Sequence, residues 1–119
     1  MKEVDQVFNQ YNQLSEVREV IAKEQLVFLY IGQENCSVCH GLKPQIEKII
    51  ANYPEIATVE LDAIKTPAVA EAFQVLAVPV LLLFVEGKEY LRKARIVNIS
   101  EFSQQLEKIV LGVRSMNQE

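Results

Sequence analysis

The chain has 119 residues, a formal net charge of −4 and a pI of about 5.1, with half its residues apolar and 24% charged. That length suits one domain, spanning residues 1–119, with a hydrophobic core large enough to need no staples. The acidic balance offers no basic stripe for phosphates, and no run of 18 or more apolar residues is available to span a membrane.

In chain order, Val4 to Glu24 has helix-like periodicity, with Val4, Val7, Phe8, Tyr11, Leu14 and Ile21 near one face. The span also reads as two pieces, a first half that pairs as a strand and a helix capped by Ser15. The opening MKEVDQVFNQ carries charges where a secretory signal has an apolar stretch, so a cytoplasmic location is expected. Leu26–Ile31 is a short apolar run suited to a fully buried strand, followed by a polar loop over 32–35. From Cys39 to Tyr53, Leu42, Ile46, Ile49 and Ile50 keep helical spacing across Pro44. Ile56–Leu61 reads as a second strand, and Thr66-Pro67 opens a short helix through Phe73. Val80–Val85 is a third strand, Glu86-Gly87 a tight turn, and Tyr90–Val97 a fourth strand. Asn98 or Ser100 then caps a helix whose apolar face is Phe102, Leu106, Ile109, Val110 and Val113. This order implies a mixed sheet, parallel through the crossovers and antiparallel in the hairpin.

The stretch NCSVCHG (35–41) holds both cysteines and the single histidine. CxxCH is the pattern of haem c attachment, but that chemistry belongs outside the cytosol, and Met116 is a thin candidate for a second axial ligand. A closed zinc site takes four donors, whereas Cys36, Cys39 and His40 supply three, two of them adjacent and pointing to different sides of a helix. As a dithiol the pair has a suitable address, after a buried strand and at the start of a helix. Unpartnered N–H groups and the helix dipole there favour a thiolate at Cys36, below the free thiol pKa of about 8.5. Cys39, one turn in, is the more buried and is spaced to attack a disulfide formed at Cys36.

Further along, the chain resembles the thioredoxin family over roughly residues 15 to 113. CSVC (36–39) is similar to the family's CGPC, and Pro44 falls where the family's helix carries its kinking proline. LDAIKTP (61–67) and VLAVPVLLLFVEGKE (75–89) resemble two further family segments in length and proline placement. The resemblance implies an α/β thioredoxin-like fold, a mixed central sheet of four or five strands flanked by helices. It also implies a cis peptide at Val78–Pro79 beside the dithiol, with both residues aligning the substrate.

Several positions depart from the family pattern. Asn35 stands in place of the tryptophan before the first cysteine, and Ser37-Val38 in place of Gly-Pro. Tyr30 occupies the position of the buried acid, Glu60 that of a nearby lysine, and Arg95-Ile96-Val97 the position of a groove glycine. A specialised thiol–disulfide oxidoreductase is therefore expected, reducing protein or small-molecule disulfides. Cys36 attacks, Cys39 resolves, and Glu60, Tyr30 and His40 are candidates for handling the proton of Cys39. No organic cofactor or metal is expected; electrons come from a thioredoxin reductase or a small thiol. The competing class is a binding or adaptor module that uses the Val78-Pro79 groove without redox turnover.

Overall fold

The computed structural model describes residues 8–118. Its frame is a four-stranded sheet in the order β2-β1-β3-β4, with β1 (Leu26–Gly32), β2 (Ala57–Asp62), β3 (Val80–Val85) and β4 (Lys88–Ala94). β1 runs parallel to β2, from Val27 against Ala57 to Gly32 against Asp62, and antiparallel to β3. Both central strands are buried along their whole length, which is why Leu26–Ile31 and Val80–Val85 are continuous apolar runs with no alternation. Edge strand β4 is exposed or half-buried instead. Glu86 and Gly87, at φ of 53° and 80°, make the two-residue hairpin turn between β3 and β4.

Alternate side chains of β1 serve opposite faces. Phe28 and Tyr30 join Ile46 and Ile50 of α2 (Ser37–Ile50) and Phe102 and Leu106 of α4 (Ile99–Asn117) in one core layer. Val27, Leu29 and Ile31 join Val17 and Ile21 of α1 (Leu14–Lys23) and Val69 of α3 (Ala68–Ala72) in the other. Asn98 caps α4, its Oδ1 accepting from the Glu101 N–H at 2.9 Å, so Ser100 is not the cap.

The N-terminal segment corrects the single-helix reading. α1 starts at Leu14 with Gln13, not Ser15, at its N-cap, and residues 8–13 lie outside the helix. Gln10 forms a parallel bridge with Glu60, tied by the Tyr11 N–H to the Glu60 carbonyl at 3.0 Å and the Glu60 N–H to the Asn9 carbonyl at 2.8 Å. Phe8 has helical spacing to Tyr11, yet it is fully buried against the rings of Phe28 and Tyr30, and tertiary burial decides its conformation. Val4 and Val7 lie outside the described residues. Other boundaries differ as well, two of them for a local reason. The buried Thr66 hydroxyl makes no capping bond to α3, whose N-cap is Pro67. The fourth strand stops at Ala94, because Arg95 adopts a left-handed φ of 67° that a strand cannot continue through.

Candidate active site

Leu26–Gly32 delivers the chain from the middle of the sheet to a turn, and the turn delivers Cys36 to the start of α2. Cys36 is the N-cap residue in extended backbone, and its Sγ accepts a hydrogen bond from the Cys39 N–H at 3.1 Å. A sulfur in that place receives a donor the helix leaves unpaired, which favours an anionic over a neutral thiol once the pair is reduced. The two cysteines are joined as a disulfide with Cα atoms 5.3 Å apart. Cys36 is half-buried and Cys39 only 3% exposed. This asymmetry follows from the helix: Cys39 shares the core-facing side with Leu42 and Ile46, while Cys36 stays at the rim.

Gly32 makes the close approach of β1 to this turn feasible. A Cβ there would lie 3.2 Å from the Cβ of Cys39 and 3.3 Å from its Sγ, tighter than ordinary packing. Nothing in the sequence pattern set this glycine apart from a loop glycine.

Two concavities flank the disulfide. On the Cys36 side, a groove of about 400 Å³ is bordered by Val38, Val78, Pro79, Arg95 and Ile96. The Val78–Pro79 peptide is cis, Pro79 is buried and Val78 half-buried. The Arg95 N–H donates to the Pro79 carbonyl at 2.7 Å, locking the start of β3 to the end of β4. Among the described residues the backbone groups of Val78 have no protein partner. Val38 and Ile96 are 58% and 92% exposed, so the groove has an apolar rim.

On the Cys39 side, a polar cleft of about 570 Å³ brings Cys39 together with Tyr30, His40, Lys43 and Glu60. Lys43 Nζ lies 2.9 Å from Glu60 Oε1, with both side chains about four-fifths buried. The contact has the distance of an ion pair but not hydrogen-bond geometry, so buried Oε1 has a cation beside it and no directed donor. Coulomb attraction does not depend on that angle, so the pair attracts at this distance.

The Tyr30 hydroxyl donates to the Cys39 carbonyl at 2.6 Å in a buried bond. Burial first, and then the negative charge of Glu60 and of Glu47, push the phenol well above its ordinary pKa. Tyr30 therefore holds its proton and acts as a strut under the turn. His40 is exposed, and its Nε2–H donates to the Glu34 carbonyl at 2.7 Å, an assignment that follows from a carbonyl being acceptor only. Glu60 and Tyr30 thus lie in one cleft with Cys39, and His40 stands at its mouth with one ring nitrogen already engaged. Lys43 did not stand out as a site residue in the sequence. The available signal was its spacing, four residues after Cys39 and so on the same helix face one turn on.

Among the described residues no cluster of three or more His, Cys, Asp or Glu side chains is placed to hold a metal ion. Nor is any described helix long and apolar enough to cross a membrane.

The family model described as Thioredoxin matches residues 8–110. The thioredoxin-like protein YdfQ of Bacillus subtilis is 35% identical over 96 residues, covering 81% of this chain and 86% of that protein. Thioredoxin-1 of Saccharomyces cerevisiae is 36% identical over 80 residues, 67% of this chain and 78% of its own. Among solved structures, the oxidised form of mitochondrial thioredoxin 3 from the same yeast superposes with a TM-score of 0.75 at 21% identity. That superposition covers 85% of this chain and 94% of the other, a likeness of fold.

Proposed function

Because the chain belongs to the thioredoxin family and is a thiol–disulfide oxidoreductase built on Cys36 and Cys39, we propose that it reduces disulfides in extended protein segments, entering through Cys36. The observation that carries this reading is the asymmetry of the pair. Cys36 stands at the N-cap of α2 in an open groove, and Cys39 is buried beneath it.

In the proposed sequence the reduced Cys36 thiolate attacks one sulfur of the substrate disulfide. An S–S bond forms to Cys36, the substrate bond breaks, and one substrate thiolate leaves. Cys39 then loses its proton and attacks Cys36 Sγ, forming the internal disulfide seen here and releasing the second substrate thiolate. Two electrons have passed from the dithiol to the substrate; a reductase or small thiol restores them, as is general for the family. Val78 and Pro79 flank the approach to Cys36, and the unpaired backbone of Val78 suits hydrogen bonding to an extended chain. We propose residues 1–119 to act as one domain, in the cytoplasm, where a CxxC pair is kept largely reduced.

The test is reduction of insulin disulfides by dithiothreitol. Catalytic acceleration by the protein is expected; binding of insulin without acceleration would favour a binding module that uses the same groove.

Resolution needs an acceptor for the Cys39 proton, and Glu60 is the proposed one. It is a largely buried carboxylate in the cleft that also holds Cys39, where Glu16, Glu34 and Asp62 are the other acids, and Lys43 lies beside it, whereas Tyr30 is a donor in this arrangement. Glu60→Gln is expected to slow resolution of the mixed disulfide near neutral pH by about tenfold or more, with a changed pH–rate profile. A profile identical to that of the wild type would retire Glu60 and leave His40 or water as the acceptor.

A further inference from the structure

The groove beside Cys36 carries one charge that the reaction does not use. Of the side chains bordering it, Arg95 alone is charged, the others being Asn35, Cys36, Ser37, Val38, Val78, Pro79 and Ile96. Arg95 is exposed and, among the described residues, has no carboxylate partner. Its near neighbours in β4 are engaged: Arg92 is bonded to Glu89 and Lys93 lies 3.4 Å from Glu101. The acid closest in sequence to the groove, Glu34, has its carboxylate oxygen 3.8 Å from Lys65 Nζ, on the cleft side of the turn.

The backbone makes this arginine more conspicuous. Arg95 adopts φ of 67°, a conformation glycine takes without steric cost and a branched or long side chain takes with strain. Its N–H is committed to the Pro79 carbonyl, so the conformation is held by the groove itself. A chain of net charge −4 thus sets an unpaired guanidinium beside its redox sulfur, framed by exposed Ile96 and Val38. A guanidinium is matched by a carboxylate, bidentately where geometry permits.

We propose that Arg95 sets substrate choice, favouring extended peptides in which the attacked cysteine is flanked by an aspartate or glutamate. This rests on the reductase reading above and adds the chemistry of the segment that enters the groove. Arg95 steers and aligns the acidic flank, so the preference lies mainly in the association step and weakens with salt.

The experiment uses three cyclic disulfide peptides, identical except for Asp, Asn or Lys beside one cysteine, reduced by the full-length protein. Each rate constant is divided by that of dithiothreitol alone under the same conditions. For wild type at low ionic strength, the Asp peptide is expected to exceed the Lys peptide by roughly three- to fivefold, with the ratio shrinking in high salt. Arg95→Gly, which suits the local φ, is expected to flatten the order, and Arg95→Glu to reverse it. Equal rates for the three peptides with wild type, or an order that survives in Arg95→Gly, would overturn the selectivity while leaving the reductase reading standing. No acceleration of any peptide would overturn both.

Discussion

Cys36→Ser is expected to lower catalysed disulfide reduction to the level of dithiothreitol alone, a loss on the order of a thousandfold or more. Serine keeps the shape of the N-cap and still accepts the Cys39 N–H, so the fold is preserved while the nucleophile is lost. Cys39→Ser is expected to fail differently. Attack through Cys36 proceeds at its usual rate, but resolution stops, and protein accumulates joined to substrate by one disulfide. The difference follows from burial: the residue that borders the substrate groove is Cys36, while Cys39 is buried and borders the polar cleft on the other side. Turnover by Cys36→Ser above the uncatalysed rate would mean that Cys39 can take the entry role despite its burial.

The second large effect is on stability. Phe28→Ala is expected to cost about 3–5 kcal/mol, a sizeable share of the roughly 5–15 kcal/mol that holds a domain of this size together. Phe28 is fully buried in a central strand, with its ring centroid 5.5 Å from that of Phe8 and 5.9 Å from that of Phe102. The vacated volume is bounded by the sheet, the N-terminal segment and α4, which cannot all collapse inward. Tyr30→Phe, two residues along on the same face, keeps the ring and removes only the hydroxyl given to the Cys39 carbonyl. Its expected cost is about 1 kcal/mol. Urea unfolding of both variants provides the check. A Phe28→Ala loss no greater than that of Tyr30→Phe would contradict the packing described here.

Much of this was legible in the chain. Buried strands announce themselves when both faces are covered, as Leu26–Ile31 and Val80–Val85 do, and Glu86-Gly87 marked the turn between β3 and β4. The cysteines were readable because a buried strand, a short loop and a helix start leave few places for a CxxC. Periodicity failed at the N-terminus, where Phe8 and Tyr11 have helical spacing but are held by the sheet and by backbone pairing with Glu60. The partner of Glu60 was not legible either. Lys65 is close in sequence, yet it faces Glu34, and the cation beside Glu60 is Lys43 from α2, the helix that connects β1 to β2. Such pairs depend on how a helix is set down on a sheet, which side-chain spacing within one element does not specify. The same applies to Arg95, whose meaning comes from the left-handed turn that sets it in the groove.

Cys36 as the point of entry is the central feature of the proposed reaction. Its most direct test is to hold Cys39→Ser protein with a disulfide-bonded substrate, isolate the covalent adduct and locate the linked residue by mass mapping. A single adduct linked through Cys36 and released by dithiothreitol is expected. Absence of any adduct with Cys39→Ser, together with an adduct through Cys39 in Cys36→Ser, would contradict entry through Cys36.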